Sequence, residues 1–240
     1  PNGEMRSSVS LKDAVFAAML KHCGAEYRDI ILQENREKYY NRAAPKTSDK
    51  DLSNVFHIMR SLNHQAITNP RLGVTPQSPR SFGFALLEAL EQVAKIAAGR
   101  PLHYVELGPE PAKTSYNLQK LQDMGVEIAS YPGVDINPAS EPDMRAALSQ
   151  IIPAERINYQ VKSFEEFRTE SVAPEGAAVL VTMMGFQEGN DDPEIVRGWF
   201  EQMMRKGEML LSEMQLSGID GDRKITDFYD HPLMVQFSKI

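Results

Sequence analysis

Two acidic residues and a glycine occupy the places where a parallel sheet binds a nucleotide-like ligand. Glu106 closes an apolar run at residues 103–107, and Gly108 opens the loop that follows. Asp135 ends a second apolar run, 27 residues after that glycine. An acid at the tip of the second strand of a βαβ unit can accept both hydrogen bonds of a ribose diol, so Asp135 is a candidate ribose ligand. Glu106 is a candidate for holding a cationic amine, directly or through water.

The loop between these acids does not have the features of a phosphate site. It reads G-P-E-P-A where a dinucleotide site has G-x-G-x-x-G, and Glu110 would repel a phosphate. S-adenosylmethionine carries an ammonium, a sulfonium and a ribose diol but no phosphate, which suits an acid at each of the two strand ends. The same pattern also occurs as an ordinary loop of an α/β protein.

Strand and helix patterns alternate through the second half of the chain. Continuous apolar runs indicate buried parallel strands, and the segments between them have helical spacing. This alternation predicts a doubly wound parallel sheet, a Rossmann-like α/β fold with right-handed crossovers. The predicted strands cover residues 103–107, 126–134, 156–161, 177–184 and 208–216, and the predicted helices cover 112–124, 139–151 and 193–205.

The sequence pattern of the first part of the chain predicts only helices. A Pro- and Gly-rich stretch, Asn69–Pro79, divides an N-terminal helical region (1–79) from the α/β core (80–240). The core begins with an amphipathic helix over 81–98, expected to cover one face of the sheet. Its predicted apolar face consists of Phe84, Leu87, Leu90, Val93, Ala94 and Ala97.

Composition excludes several classes of function. The net charge of −7 gives no general attraction to nucleic acid or to anionic membranes. No apolar run approaches the roughly 20 residues of a membrane span. Cys23 is the single cysteine, which favours a reducing compartment and predicts a cytoplasmic protein. The five histidines show no ligand spacing, so no metal site is predicted.

Four motifs in order resemble the histidine-specific family of S-adenosylmethionine (SAM)-dependent amino-acid N-methyltransferases, the group of the ergothioneine pathway. VELGPEPAKT is similar to the family's V-E-L-G loop ending in K-T, although its P-E-P departs from the Gly/Ser-rich pattern and the loop is one residue shorter. GVDIN is similar to V-D-[IV]-S. MGFQEGNDDPE is similar to L-G-S-T-I-G-N-x-x-P-x-E, and ITDFYDHPLMVQFS resembles a segment with A-Y-D-D and F-N. The resemblance covers residues 80–240.

The resemblance implies a class I methyltransferase-like fold and a set of binding residues. The implied cofactor ligands are Glu106, Gly108, Lys113, Thr114, Asp135, Ser163, Phe164 and Gly185. Asn190 and Tyr229 would bind an amino-acid substrate. The alternatives are an exposed first-turn residue for Lys113, a turn residue for Asn190 and a packing aromatic for Tyr229. No catalytic residue is predicted, because the methyl group of SAM is already activated.

The resemblance predicts a methyltransferase that acts on a nitrogen of a small amino acid or its derivative. Methyltransferases of this architecture normally finish with two more strands, so a further C-terminal segment or a second copy of the chain is expected to complete the sheet. Two alternatives remain. One is a degenerate methyltransferase fold that serves as a non-catalytic binding or scaffold subunit, and the other is a different nucleotide-binding α/β enzyme.

Overall fold

The structure is a computed structural model that describes residues 11–22, 52–74, 78–136, 138–169, 173–185, 187–190, 193–214 and 231–237. The chain forms two compact units, residues 1–42 and residues 43–240. In the first unit, helix α1 spans Leu11–His22. The predicted boundary at residue 79 stays a prediction.

The second unit alternates strands and helices in the predicted order. Its helices are α2 (Leu52–Thr68), α3 (Phe82–Ala97), α4 (Pro111–Asp123), α5 (Glu141–Leu148), α6 (Pro193–Met203) and α7 (Pro232–Phe237). Its strands are β1 (Leu102–Leu107), β2 (Ile128–Asp135), β3 (Ile157–Val161), β4 (Ala178–Met183) and β5 (Met209–Ser212). Short 3-10 helices cover Pro138–Ser140, Ala154–Arg156, Phe164–Glu166 and Gln187–Asn190.

The five strands form one parallel sheet in the order β3-β2-β1-β4-β5. Glu106 in β1 lies beside Gly133 of β2 and Thr182 of β4. The predicted Rossmann-like, doubly wound α/β fold is therefore confirmed. Strand β5 is shorter than the predicted 208–216, and helix α7 was not predicted. Among the described residues, no helix has the length and apolar content that a membrane span requires.

Each face of the sheet is covered by its own apolar layer. On one face, Leu90 of α3, Leu118 of α4 and Met144 of α5 pack with strand residues such as Leu102 and Leu180. On the other face, Met203 and its neighbours in α6 pack on Val105, Val134 and Val181. All six residues of β1 are buried because the strand is central and covered on both faces.

Helix α3 is placed as predicted, but one residue of its predicted apolar face is wrong. Ser81 caps the helix, with its hydroxyl oxygen accepting the Phe84 amide at 3.2 Å. The buried residues are Gly83, Leu86, Leu90, Val93 and Ala97. Phe84 is instead 51% exposed. The buried face includes Gly83 because α2 approaches there: a Cβ atom on Gly83 would lie 2.2 Å from the Ile67 carbonyl oxygen.

Two glycines in helices are expected to respond in opposite ways to alanine. Gly83→Ala should lower the free energy of unfolding by about 1–3 kcal/mol, because the new methyl group collides with the backbone of α2. Gly198→Ala in α6 should raise it by about 0.5–1 kcal/mol, because nothing lies within 4 Å of the added Cβ and alanine is the better helix former. Urea denaturation of both variants measures the two changes. An equal response would contradict the close approach of α2 and α3.

Candidate functional site

The sheet has its topological switch point at the carboxyl ends of β1 and β4. Strands β2 and β3 lie to one side of β1, and β4 and β5 lie to the other, and the helices after β1 and β4 pack in different apolar layers. In such sheets the loops after these strands diverge and leave a crevice. Both loops have a glycine in the left-handed region within their first two residues, Gly108 at φ +69° and Gly185 at φ +77°. A side chain would be strained at either position. In doubly wound sheets this crevice is where ligands bind.

The two loops touch each other across the crevice. A Cβ atom on Gly108 would lie 2.8 Å from Nε2 of Gln187, so the absence of a side chain at Gly108 makes room for Gln187. The Gly108 amide donates to the Val134 carbonyl at 2.9 Å, which holds the start of the loop against β2. Gly108 is therefore required both for its backbone conformation and for its close contact with the β4 loop.

The N-terminus of α4, beside the crevice, is capped by a carboxylate of the chain itself. Glu110 accepts the backbone amides of Ala112 at 3.0 Å and Lys113 at 3.1 Å. Pro111 follows at the first helical position, where its missing N–H leaves no donor unpaired. These amides are the groups that bind phosphate in dinucleotide sites. Because Glu110 occupies them with a negative charge, this helix end is unsuited to phosphate.

Glu106 lies under the helix start and is 1% exposed. Its Oε2 accepts the hydroxyls of Thr114 in α4 and Tyr131 in β2, each at 2.6 Å. Burial raises the pKa of Glu106 to about 7, against the lowering effect of those two hydrogen bonds, and the nearby Glu110 adds to the rise. Glu106 thus joins β1, α4 and β2 through one oxygen.

A layer of buried tyrosines supports Glu106 on the same face of the sheet. The rings of Tyr104 and Tyr131 stack with centroids 5.9 Å apart. The Tyr104 hydroxyl oxygen accepts a hydrogen bond from Nδ2 of Asn117 at 3.0 Å. Burial, together with the charge of Glu106, raises the pKa of both phenols, so both stay protonated. Tyr131 therefore keeps its proton and donates it to Glu106 in the structure.

Asp135 ends β2 on the neighbouring strand and is half-buried. It lies opposite Val161, the last residue of β3. Burial raises the pKa of the Tyr159 phenol, and the negative charge of Asp135 raises it further. Tyr159 hydrogen-bonds Ser140 of the 3-10 helix that follows β2. The carboxylate of Asp135 is thus at the predicted strand end, between β1 and β3.

The structure corrects the alternative in which Lys113 is an exposed first-turn residue. Lys113 lies in the first turn of α4, as expected, but is 3% exposed, so it is not a solvated surface residue. Its Nζ forms an ion pair with Glu213, just beyond β5, and lies 5.3 Å from the centre of the Phe82 ring. Glu213 also accepts the Gly185 amide at 2.8 Å. The buried ammonium of Lys113 therefore has protein partners in Glu213 and the Phe82 ring, so its burial does not require a ligand.

Ser163 and Phe164 follow β3 at the far side of the sheet edge. The Ser163 amide donates to Glu166 at 3.2 Å, which fixes the 3-10 helix Phe164–Glu166. The Phe164 ring meets Trp199 of α6 edge-on, with centroids 5.7 Å apart. Phe164 therefore packs partly against the helix layer opposite the tyrosines.

The structure brings together five of the predicted cofactor residues at the β1/β4 crevice: Glu106, Gly108, Lys113, Thr114 and Gly185. Asp135 is one strand away, and Ser163 and Phe164 are two strands away from β1. Asn190 ends the 3-10 helix of the β4 loop. Tyr229 lies outside the described residues. As cofactor or substrate ligands, all of these residues stay predictions.

Sequence reasoning missed the roles of Glu110, Tyr131 and Glu213. Glu110 was interpreted only as a repulsive charge, although an acid one residue before a helical proline is a common capping pattern. Glu213 interrupts an apolar strand at its carboxyl end, which is a usable signal for a residue at the ligand edge. Tyr131 offered no such signal, because an aromatic residue in a buried strand is ordinary.

Two surface cavities, of about 310 and 350 Å³, are lined by none of the predicted site residues. One lies at Pro70, Pro79, Arg80, Ser81 and Phe84, and the other at Glu165, Ile195, Gly198, Trp199 and Gln202. The candidate site remains the carboxyl edge of the sheet and not either cavity, because polar groups from several strands converge at that edge.

Glu106→Gln is expected to change how stability depends on pH. Glu106 has a pKa of about 7 when folded and its ordinary value of 4.5 when unfolded. Between these values the folded chain binds more protons, so the free energy of unfolding falls as pH rises, by on the order of 3 kcal/mol in total. Glutamine accepts the same hydroxyls without titrating, so the variant should lack this loss. Urea denaturation at intervals from pH 4.5 to 8 measures the difference.

The control for this pH series is Glu155→Gln, which changes an exposed acid. His103 titrates in the opposite sense: burial lowers its pKa to about 4, so its contribution to stability increases as pH rises toward 6.5. That contribution is common to parent and variant and cancels in their difference. Parallel stability profiles for the parent and Glu106→Gln would show that Glu106 ionises normally.

Comparison with known proteins finds similarity at the level of structure only. No family model matches the sequence, and no curated protein matches it. The CcbJ methyltransferase from Streptomyces caelestis is 19% identical over 53% of this chain and 47% of its own, with a TM-score of 0.33. A protein from Burkholderia thailandensis bound to S-adenosyl-homocysteine is 17% identical over 58% and 44%, with a TM-score of 0.29. A cmcI structure with Mg and SAM is 17% identical over 88% and 85%, with a TM-score of 0.34.

This chain spans less than half the length of the first two of these solved chains. Its own fold defines the class: a Rossmann-like α/β protein whose parallel sheet has its topological switch point at β1 and β4. The ligand and the reaction are inferred from the chain's own residues.

Proposed function

We propose that this chain is a SAM-dependent methyltransferase that methylates a nitrogen of a small amino acid or an amino-acid derivative. One observation carries the proposal. Carboxyl groups of Glu106 and Asp135 lie at the ends of β1 and β2, while the N-terminus of α4 beside them is capped by Glu110. Such a site favours a cationic ligand with a ribose and disfavours a phosphorylated one.

The residues present fit SAM by the chemistry of their side chains. Asp135 supplies a half-buried carboxylate for the ribose diol at the end of β2. Glu106 supplies a buried carboxyl beneath the amino-acid end of SAM. The Lys113 ammonium donates one hydrogen bond to Glu213 and has further N–H donors for the carboxylate of SAM. Gly108 and Gly185 let backbone approach the ligand closely. Ser163 and Phe164 follow β3, at the end where the adenine would lie.

The chemistry demands little of the protein beyond positioning. When bound, SAM supplies a methyl group already activated on a sulfonium. The chain's residues align the accepting nitrogen and exclude water from it. Asn190 and Tyr229 are the proposed contacts to the amino and carboxylate groups of the substrate. An amide such as Asn190 offers a donor and an acceptor, which suits both charges of an amino acid.

Asp135→Asn tests the cofactor site. Calorimetric titration of the parent with S-adenosylhomocysteine should give a dissociation constant of roughly micromolar order. The variant should bind at least about tenfold more weakly, because an amide cannot accept both ribose hydrogen bonds with equal strength. Glu155→Gln, a change at an exposed acid away from this edge, should bind as the parent does. A folded parent that fails to bind would overturn the proposed function.

Asn190→Ala tests the substrate side. Free amino acids are incubated with the chain and SAM, and a product that is heavier by one methylene identifies the acceptor. With that acceptor, Asn190→Ala should raise KM by about tenfold, since one charge-assisted contact is lost. Its affinity for S-adenosylhomocysteine should stay at the parental value. A variant with parental KM would remove Asn190 from the substrate site.

A non-catalytic binding subunit is the second candidate, and one contact favours it. The Gln187 side chain lies against Gly108, where a ligand's amino-acid end would approach the loop. In the second candidate Gln187 keeps this place beside Gly108, and the amino-acid end of SAM has no room there. The titration with S-adenosylhomocysteine separates the two candidates, because a chain that has lost the cofactor site does not bind it. Parallel titration with NAD tests the remaining dinucleotide alternative, which the Glu110 cap disfavours.

A further inference from the structure

Glu213 lies where three elements meet at the carboxyl edge of the sheet. It directly follows β5, and its backbone amide donates to the Met183 carbonyl at the end of β4 at 3.1 Å. Its Oε2 forms an ion pair with Lys113 of α4 and accepts the Gly185 amide at 2.8 Å. A single carboxylate oxygen therefore connects α4, β5 and the loop after β4.

The loop held by Glu213 forms one wall of the ligand crevice. Gly185 is its second residue and has a positive φ of +77°, so its amide direction is set by an unusual backbone conformation. Two residues later, Gln187 lies against Gly108 on the opposite wall. A second contact, from the Ser212 hydroxyl to the Glu188 carboxylate, ties the same loop to β5. The position of this wall thus depends on side chains at the end of β5.

The carboxylate that holds the loop is itself firmly placed. The Lys113 side chain is 4% exposed and the Glu213 side chain 11% exposed. Gly185 is exposed, so its amide is held by the hydrogen bond to Glu213 and not by burial, and loss of that acceptor would release the loop. A wall that is fixed before the ligand arrives does not lose conformational freedom on binding, which improves affinity.

We propose that Glu213 is a positioning residue of the ligand crevice and acts by accepting the Gly185 amide. The ligand part of this inference rests on the proposed function, whereas the loop part does not. The ion pair with Lys113 orients the carboxylate but is not the feature that fixes the wall. The carbonyl oxygen of a glutamine can accept from both Lys113 and Gly185, and so can replace Glu213 in this role, whereas leucine of similar size cannot.

Glu213→Gln and Glu213→Leu form a matched pair for this test. Both remove the negative charge and leave Lys113 without its counter-ion, so the comparison between them isolates the acceptor. Titration with S-adenosylhomocysteine should give Glu213→Gln an affinity within about threefold of the parent. Glu213→Leu should bind roughly tenfold more weakly than Glu213→Gln. Equal affinities of the two variants would overturn the inference. Glu175→Leu, a change at an exposed acid before β4, is the control and should match the parent.

Hydrogen exchange at the Gly185 amide gives a readout that needs no ligand. Exchange should be slow in the parent and in Glu213→Gln, and at least about tenfold faster in Glu213→Leu. If the unpaired Lys113 prevents either variant from folding, the same Gln and Leu comparison is made with Lys113→Met in both.

The outcomes separate this inference from the proposed function. A parent that does not bind S-adenosylhomocysteine overturns the proposed function and the ligand part of the inference, and exchange at Gly185 then decides the loop part. A parent that binds, with equal binding and equal exchange in the two variants, overturns only the positioning role. Loss of binding in Glu213→Leu with slow exchange at Gly185 also counts against the inference, because the wall would then be intact.

Discussion

One buried carboxyl group, that of Glu106, holds the parts of the ligand edge together. It accepts hydroxyls from α4 and β2 while belonging to β1, so three elements meet on a single oxygen. Burying a charged carboxylate is costly, and the raised pKa shows that this group resolves the cost partly by keeping its proton. Removing either hydroxyl would leave this buried oxygen with one donor instead of two, which would weaken the link between β1 and the element that lost it.

Acidic side chains of the chain itself restrict which ligands the carboxyl edge of the sheet can bind. The Glu110 cap satisfies the helix amides that would otherwise attract phosphate, and Glu213 neutralises the one lysine of the first turn. What remains at the strand ends is acidic, with Asp135 half-buried on β2. These charges disfavour phosphate at the carboxyl edge of the sheet, which supports the proposal of a ligand without phosphate.

Much of the fold follows from the sequence because parallel strands have a strong pattern. Each central strand is apolar on both faces, and each crossover helix has an apolar stripe, so β1, β4 and α4 were predicted within two residues. Errors arose where packing partners decide. Phe84 fits a helical stripe in the sequence, yet it is exposed because α2 approaches the neighbouring Gly83. Strand β5 ends at Ser212, and the side chain of the next residue, Glu213, contacts Lys113 and Gly185.

The sequence by itself determined the sheet, its loops and the acids at the strand ends, because these depend on local periodicity and on fixed spacings within a βαβ unit. Only the tertiary structure decided what those acids do. The partners of Glu106, Lys113 and Gly185 come from residues 8, 100 and 28 positions away. The two longer separations are set by which strands become neighbours, and no local pattern encodes them. The burial and the interaction partners of these residues were therefore decided by packing.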